Sequence, residues 1–279
     1  MNLLEALKYL LLGLVQGVTE VLPISSSGHV ELVQTLVQLK ADEGLLFLIL
    51  VNTGSLIVFL FIYWRKLWRV LLDFLSYIFR PSTREATSKG FYYAIKLVIA
   101  SIPAAIVGVF FKDQLDALLK SHGLLVSGTG LILTGSVLLI VSQKRAFNGE
   151  ATVSFVDAIL MGLGQAAALF PGVSRSGMTT STGISRGIGI ATALDFSFMM
   201  YIPVSIGVLL LSVIDGIQSG FNLPGSDYIG YYLLALVGAI VATYLAFRIV
   251  FSAFKTGKLK YFALYCLAVG LLSIGIYIF

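Results

Sequence analysis

The chain has 279 residues, of which 58% are hydrophobic and only 12% charged, and its mean hydropathy is +0.95. This composition excludes an ordinary soluble domain, and the length excludes a single-span anchor, so we predict an all-α polytopic membrane protein. The net charge of +5 comes mostly from short loops between apolar runs. That distribution is typical of membrane topology signals and argues against nucleic acid as a partner.

Apolar runs long enough to cross a bilayer, which requires about 20 residues, recur along the chain. They cover 44 to 63, 92 to 111, 123 to 142, 196 to 214, 229 to 248 and 261 to 279. Shorter apolar pieces pair at 3 to 21 with 28 to 38, and at 154 to 169 with 176 to 190. Proline, glycine and hydroxyl residues separate the two pieces of each pair, which indicates re-entrant helical hairpins. We therefore predict about six transmembrane helices and two re-entrant hairpins.

The two predicted hairpins have similar sequences. A shift of 149 positions places GLVQGVTEVLPISSSGH, residues 13 to 29, on the first 17 residues of GLGQAAALFPGVSRSGMTT, residues 162 to 180. The identical pairs include Gly13 and Gly162, Gln16 and Gln165, Ser25 and Ser174, Ser27 and Ser176, and Gly28 and Gly177. We predict a single membrane domain, 1–279, made of internal repeats at about 1–145 and 150–279. Three spans follow each hairpin, so the second repeat is predicted to be inverted relative to the first.

Positive charges are distributed unequally among the loops. The loops 65 to 91, 143 to 153 and 248 to 260 carry most of the lysines and arginines, whereas 215 to 227 carries none. Cytoplasmic loops are enriched in these residues, so the first three loops are predicted to be cytoplasmic and both termini to be outside. The first hairpin then enters the membrane from outside and the second from the cytoplasm.

A few ionisable groups interrupt the apolar hairpins, namely Glu20 and His29 in the first and Arg175 in the second. An unpaired charge at this depth costs about 3 kcal/mol, so a structural ion pair between Glu20 and Arg175 is one interpretation. Hydroxyls accompany these charges: Ser25, Ser26, Ser27, Ser174, Ser176, Thr179 and Thr180. Hydroxyls, a guanidinium and the N-termini of two broken helices together suit a phosphate, so we favour an anion site.

Some of these residues also have a purely structural interpretation. The PISSSGH stretch can be only a turn with serine as a helix N-cap, and Gln16 and Gln165 can hydrogen-bond between helices. Arg186 and Asp195 lie near predicted membrane boundaries, so we predict solvated or structural roles for them. Glu20 alone is not a metal site, but phosphate oxygens and water can complete around it the octahedral shell that magnesium prefers.

Two segments resemble the signature regions of the undecaprenyl-pyrophosphate phosphatase family of the bacitracin-resistance type. The first signature is matched by Gln16, Glu20, Pro23, Ser25, Ser26, Gly28 and His29, and the second by Pro171, Gly172, Ser174, Arg175, Ser176 and Thr179. The similarity extends to TGSLIVFLFIYWRKLWR at 53–69 and LDFSFMMYIP at 194–203, so it covers nearly the whole chain. Three positions depart from the pattern: Gln16 replaces a common Glu, Asn52 an expected Gln, and Arg186 an apolar residue.

The resemblance implies an integral membrane hydrolase that removes the terminal phosphate of undecaprenyl (C55 polyprenyl) pyrophosphate and so recycles the lipid carrier for peptidoglycan synthesis. It also implies an interdigitated inverted-repeat fold, a divalent cation (Mg²⁺ or Ca²⁺), and a site that opens to the outer face of the plasma membrane. By position, Glu20 binds metal or acts as base, Ser26 is the candidate nucleophile, and His29 is general acid or base. Gln16 is a second candidate metal ligand. The candidate phosphate-binding residues are Arg175, Ser25, Ser27, Ser174, Ser176 and Thr179.

Two questions stay open at the level of sequence. Either Ser26 attacks the phosphorus, or a water activated by Glu20 or His29 does so. The competing function is a lipid-phosphate transporter, or flippase, because inverted repeats with broken helices are also the architecture of alternating-access carriers. A carrier needs Arg175 and the hydroxyls but has no evident use for Glu20 and His29, so we favour the phosphatase. Membrane lipids are the expected surroundings, and a homo-oligomer is left open.

Overall fold

The computed structural model describes residues 2–39, 45–143, 152–219, 226–255 and 258–279. These residues form nine α-helices and a 3₁₀ helix at Pro81–Thr83, and no strand occurs among them. The helices are α1 (Leu3–Val21), α2 (Ser26–Leu36), α3 (Leu45–Phe79), α4 (Arg84–Ser142), α5 (Phe155–Ala167), α6 (Arg175–Ser185), α7 (Ile190–Ser219), α8 (Ser226–Lys255) and α9 (Leu259–Ile278). The all-α prediction is confirmed.

Five helical segments of the described chain are long and apolar enough to cross a membrane. They are Pro81–Phe111, Asp113–Ser142, Ile190–Gln218, Tyr228–Val250 and Leu259–Ile278. Each overlaps one of the last five predicted runs over at least all but its final residue, so the multi-pass character is confirmed. The first predicted run lies within α3, apart from residue 44, which is outside the described residues. Helix α3 is not among the five, and its 35 residues continue past that run through Arg65 and its basic neighbours.

Helix α4 contains one of the five candidate spans and all but the first three residues of another. Its 59 residues would measure about 88 Å if straight, which is nearly three times the thickness of the hydrocarbon core. The helix bends at His122, where the backbone leaves the helical region with φ −144° and ψ 41°. The hydroxyl of Tyr277 on α9 lies 2.7 Å from His122 Nδ1 and so ties the bend to the last helix.

Both predicted hairpins are present as pairs of consecutive helices, α1 with α2 and α5 with α6. The second helix of each pair has 11 residues and begins with a serine N-cap. Ser25 Oγ accepts a hydrogen bond from Gly28 N at 3.3 Å, and Ser174 Oγ accepts one from Gly177 N at 3.1 Å. These caps satisfy N–H groups that the first turn of a helix leaves without partners. The serine N-cap expected in PISSSGH is confirmed, and it has an equivalent in the second hairpin.

Each hairpin packs against a helix of the other half of the chain, because α1 lies along α8 and α5 lies along α4. A glycine makes each contact possible. A β-carbon on Gly13 would lie 2.0 Å from the carbonyl oxygen of Ala235, and one on Gly162 would lie 2.4 Å from that of Ala100. This exchange of partners is what an interdigitated repeat predicts. The repeat boundaries and the inversion of the second repeat stay predictions.

We expect Gly13→Ala to destabilise the protein by about 1–3 kcal/mol, since the obstructing atom belongs to the backbone of α8 and cannot rotate away. The thermal midpoint of the purified protein in detergent measures this loss. Gly275→Ala in α9 is the matched control, because its β-carbon would meet nothing within 4 Å and alanine favours helix. Equal midpoints for the two variants would show that α1 and α8 do not pack closely at Gly13.

Candidate active site

The turns of the two hairpins meet at a cavity of about 350 Å³. The backbone N–H of Gly172 donates to Ser27 Oγ at 3.2 Å, and Ser176 Oγ donates to the carbonyl of Leu22 at 3.1 Å, so each turn holds the other. Helices α3 and α7 complete the walls. The polar residues of the lining are Thr19, Glu20, Ser25, Ser26, Ser27, Asn52, Thr53, Gln165, Ser174, Arg175, Ser176, Tyr201, Ser205 and Ser212.

An ion pair between Glu20 and Arg175 joins the hairpins inside this cavity. Glu20 lies one residue before the end of α1 and is 9% exposed, and Arg175 is the first residue of α6. Arg175 Nη2 donates to Glu20 Oε1. The pairing that sequence analysis gave as one interpretation is present, and both charges lie where a ligand in the cavity can reach them.

The second oxygen of the Glu20 carboxylate accepts two more hydrogen bonds. Ser26 Oγ donates to Glu20 Oε2 at 2.5 Å, and Gln16 Nε2 donates to the same oxygen at 2.9 Å. Gln16 Nε2 also donates to Asn52 Oδ1 on α3 at 2.8 Å, which fixes the orientation of its amide. Ser26 and Arg175 are the first residues of α2 and α6, equivalent positions in the two repeats. One carboxylate thus contacts the first residue of both helices.

Helix α7 supports the guanidinium of Arg175. Its central carbon lies 3.7 Å from the centre of the Tyr201 ring, and Nη1 lies 3.4 Å from Ser205 Oγ. A cation over an aromatic face is attracted to the ring electrons, and stacking fixes the plane of the guanidinium. Sequence analysis did not single out Tyr201 or Ser205. The signal for Tyr201 was its position in the LDFSFMMYIP segment at 194–203.

The first turns of α2 and α6 also line the cavity. A helix N-terminus presents unpaired N–H groups and a partial positive charge, which favour bound anions. Two such N-termini and one guanidinium face a single carboxylate here. Electrostatically, the cavity suits an anion with several oxygens, such as a phosphate or diphosphate.

The predicted hydroxyls fall into two groups. Ser25, Ser27, Ser174 and Ser176 line the cavity, and each also takes part in a hydrogen bond that shapes the turns. Thr179 is fully buried outside the lining, 2.5 Å from Ser197 Oγ and bonded to the carbonyl of Arg175 at 2.8 Å. Thr179 therefore contacts the backbone of Arg175 outside the cavity lining, and its direct contact with phosphate stays a prediction.

His29 is likewise placed behind the cavity lining. Its Nδ1 lies 2.8 Å from the carbonyl oxygen of Ser25, and its Nε2 lies 2.9 Å from the hydroxyl of Tyr265 on α9. A carbonyl can only accept, so Nδ1 carries a proton; in the neutral ring Nε2 then accepts from Tyr265. The structure does not bring His29 to the Ser26 hydroxyl. Its role as general acid or base stays a prediction, while its observed contacts position the Ser25 turn.

Gln165, the equivalent of Gln16 in the second repeat, lines the cavity with an unpaired side chain. It is 1% exposed, and neither amide atom has a hydrogen-bond partner in the described residues. Leu169 occupies the position equivalent to Glu20, so the second hairpin lacks the acceptor that Gln16 uses. The expected bond between helices is absent at Gln165 within the described chain, which leaves its donor and acceptor available to a ligand.

The oxygen atoms around Glu20 suit a metal that arrives with phosphate. No group of three His, Cys, Asp or Glu side chains occurs among the described residues, and Glu20 is the one carboxylate in the cavity lining. Magnesium is commonly bound by one or two carboxylates together with substrate phosphates and water. The Glu20 carboxylate and the Asn52 amide oxygen fit such a shared site, whereas Gln16, the second candidate metal ligand, directs its Nε2 donor at both of them, so its role as a ligand stays a prediction.

Two charged residues outside the cavity have structural partners, as predicted. Arg186 Nε donates to Asp157 Oδ1 at 2.9 Å, and Asp195 pairs with Lys66. The first pair fastens the end of α6 to the start of α5, and the second fastens α7 to α3. Both therefore hold the helices that carry the cavity.

Comparison with known proteins identifies the family. Residues 9–272 match the family model described as "bacitracin resistance protein BacA". The chain belongs to this family. Undecaprenyl-diphosphatase 2 of Bacillus thuringiensis (strain Al Hakam) is 44% identical over 269 residues, which is 96% of each chain. Undecaprenyl-diphosphatase 1 of Bacillus licheniformis is 38% identical and the undecaprenyl-diphosphatase of Bacteroides fragilis 37%, each over 97% of this chain and 98% of the relative. The family predicted from the two signatures is confirmed.

Proposed function

We propose that this chain is an undecaprenyl-diphosphatase, an integral membrane enzyme that hydrolyses undecaprenyl pyrophosphate to undecaprenyl phosphate and inorganic phosphate. Its relatives over nearly the full length carry that name. The observation that supports it is the contact of Glu20 with Arg175 and Ser26 between two helix N-termini in one cavity. The reaction returns the lipid carrier to peptidoglycan synthesis.

Arg175 and the two helix N-termini bind the terminal phosphate. Phosphoryl transfer depends on positioning and on stabilising charge at the oxygens of the transferred group. A guanidinium has five N–H donors, so Arg175 can bind phosphate oxygens while it keeps one bond to Glu20. Its stacking on Tyr201 orients the remaining donors before substrate arrives.

Ser26 is the group placed to react. In the covalent route, its Oγ bonds to the terminal phosphorus, the bridging P–O bond breaks, and undecaprenyl phosphate leaves. The hydroxyl proton passes to Glu20 Oε2, 2.5 Å away. Water then hydrolyses the phosphoserine. In the direct route, water attacks the phosphorus, Glu20 takes its proton, and Ser26 only orients it. The short contact between Ser26 and Glu20 favours the covalent route.

We expect Ser26→Ala to lower kcat for phosphate release by at least about 100-fold, because the nucleophile is removed and Glu20 is left without its proton donor. The initial rate of inorganic phosphate release measures this. Ser136→Ala is the matched control, since the hydrogen bond of Ser136 within the described residues goes to the carbonyl of Ile132 in its own helix. Near-normal turnover by Ser26→Ala, with turnover abolished in Glu20→Gln, would exclude the covalent route.

We expect Tyr265→Phe to lower phosphate release by roughly fivefold, since one neutral hydrogen bond contributes about 1 kcal/mol and this one holds His29 against the Ser25 turn. Tyr277→Phe is the matched control, because Tyr277 makes the same kind of bond to His122, away from the cavity. Initial rates under saturating lipid, with thermal midpoints recorded, compare the two variants. Equal rates would mean that the contact between His29 and Tyr265 does not support catalysis.

The proposal includes a divalent cation, Mg²⁺ or Ca²⁺, held by Glu20 with the amide oxygen of Asn52 and by the phosphates of the substrate. When bound, the cation would neutralise phosphate charge.

The proposal also includes a location in the plasma membrane with the active site on the extracytoplasmic side and both termini outside. The basic segment from Arg65 to Lys89 supports that orientation.

Phosphate release from undecaprenyl pyrophosphate by detergent-purified protein tests the function. We expect release that stops with a chelator and returns with magnesium or calcium. A flippase on the same fold would bind the lipid but release no phosphate in detergent. If the folded protein binds undecaprenyl pyrophosphate without hydrolysing it, the phosphatase proposal is wrong, and lipid movement across liposomes then measures the carrier function.

A further inference from the structure

A second cavity, of about 500 Å³, lies between the C-terminal part of α3 and the N-terminal part of α4. Its charged and aromatic lining consists of Arg65, Lys66, Arg69, Asp73, Lys89 and Tyr93. None of these residues takes part in the catalytic cavity. The second cavity is therefore a separate feature of the fold, with a lining dominated by cations.

The positive charges of this lining outnumber its negative charges. Lys66 is neutralised by Asp195 and lies 4.8 Å from the centre of the Tyr93 ring. Arg65, Arg69 and Lys89 form no ion pair in the described part of the chain, and Asp73 is the one carboxylate in the lining. Three cations around one carboxylate leave a net positive cavity, which suits a phosphate.

Exposed apolar side chains flank the cationic cavity on α3. Trp64 and Trp68 are 59% and 49% exposed, and their rings stack with centroids 5.6 Å apart. Leu71, Leu72 and Leu75 follow on the same helix and are also exposed. Tryptophan is enriched where a membrane meets water, and cations beside apolar helix surface are typical of segments at the headgroup level. A free anion would contact the cations alone, whereas a phospholipid contacts the cations with its headgroup and the apolar side chains of α3 with its acyl chains.

The second cavity is separate from the active site along the same helix. Leu56 is the last α3 residue that lines the catalytic cavity, and Arg65, nine positions later, is the first that lines the second cavity, about 14 Å further along the helix axis. A lipid bound here would not compete with the lipid substrate for the catalytic cavity.

We propose that the cavity between α3 and α4 binds the phosphate of an anionic phospholipid headgroup. Arg65, Arg69 and Lys89 contact the phosphate oxygens, and the acyl chains lie against Trp64, Trp68 and the leucines of α3. The site goes beyond the phosphatase reaction and requires no turnover.

The tryptophans provide a direct measurement, because Trp64 and Trp68 are the only two in the chain. Phosphatidylglycerol or phosphatidylcholine with the same brominated acyl chains is added to the detergent-purified protein, and quenching of tryptophan fluorescence is recorded. We expect phosphatidylglycerol to quench at a concentration at least about tenfold lower than phosphatidylcholine. Equal quenching by the two lipids would overturn the proposal.

Matched variants distinguish a lipid preference caused by the cavity from one caused by general surface charge. Arg65→Gln, Arg69→Gln and Lys89→Gln together are expected to abolish the preference for phosphatidylglycerol. The control combines Arg80→Gln, Arg84→Gln and Lys260→Gln, three exposed cations outside the cavity, and should keep it. If both triple variants lost the preference for phosphatidylglycerol, the preference would come from the overall charge of the protein and not from the cavity. If the triple cavity variant does not fold, Arg69→Gln and Lys89→Gln alone should each reduce the preference in part, and no change in either would contradict the site.

Inorganic phosphate distinguishes the source of the anion. We expect inorganic phosphate, at concentrations equal to the lipid, to leave quenching by phosphatidylglycerol unchanged, since it lacks the contact with the apolar face of α3. Displacement of the lipid by equimolar inorganic phosphate would mean that the cavity takes free phosphate and that the lipid assignment is wrong. Neither result depends on whether the protein hydrolyses undecaprenyl pyrophosphate.

Discussion

Arg175→Ala is expected to lower kcat for phosphate release from undecaprenyl pyrophosphate by about 10³-fold or more, the range seen when an arginine that stabilises a transferring phosphoryl group is removed. The guanidinium is the one cation in the lining of the catalytic cavity, and its stacking on Tyr201 holds it in place before substrate binds. Binding of the lipid should weaken as well, because the terminal phosphate loses its main counter-charge. Phosphate release and lipid affinity measure the two effects separately.

Two further variants identify the cause of this loss. Arg248→Ala removes an exposed arginine that also lies over a tyrosine ring, 5.0 Å from the centre of Tyr244, and should leave activity unchanged. Arg175→Lys keeps the charge but not the planar donors, so we expect an intermediate rate. Since Arg175→Ala leaves Glu20 buried without its partner, the thermal midpoint must be recorded. A folded Arg175→Ala protein that keeps a tenth of the activity would contradict the assigned role.

Glu20→Gln is expected to abolish turnover to a similar degree, on the order of 10³-fold, because the carboxylate that accepts the Ser26 proton becomes a neutral amide of nearly the same shape. Without divalent cation, binding of undecaprenyl pyrophosphate should be unchanged or tighter, since one negative charge is gone and Arg175 loses its competing partner. Loss of turnover with retained binding is therefore the signature that separates Glu20→Gln from Arg175→Ala.

The matched control for this change is Glu5→Gln. It alters the same residue type on the same helix, but Glu5 pairs with Lys8 at the start of α1, away from the cavity. We expect normal turnover from Glu5→Gln. If Glu20→Gln lost lipid binding in the absence of cation as strongly as Arg175→Ala, Glu20 would be a structural partner of Arg175 rather than the proton acceptor.

The hairpins and their central ion pair could be predicted from sequence because their signals are local. Interrupted apolar runs indicated both helix pairs, the serines of PISSSGH indicated the first N-cap, and the cost of an isolated charge suggested the pairing of Glu20 with Arg175. Each inference uses residues within one hairpin or a general energetic rule. The family resemblance then added the reaction.

The supporting contacts could not be predicted, because they depend on how distant helices pack. Tyr201 and Ser205 reach Arg175 only because α7 lies beside α6, and Tyr265 reaches His29 only because α9 lies along α4, which also contacts α2. The family resemblance implied that His29 acts as general acid or base near Ser26. In the structure both ring nitrogens of His29 have other partners. Nδ1 contacts the carbonyl of Ser25, and Nε2 contacts the hydroxyl of Tyr265, which is 236 positions later in the chain.

An experimental structure with a methylene-bridged, non-hydrolysable analogue of undecaprenyl pyrophosphate tests most directly the central claim, that two hairpins form one phosphate site. We expect the terminal phosphate within about 3 Å of the Arg175 guanidinium and of first-turn N–H groups of both α2 and α6. Ser26 Oγ should face the phosphorus on the side opposite the bridging group. A phosphate bound elsewhere, with Arg175 still paired only to Glu20, would contradict the claim.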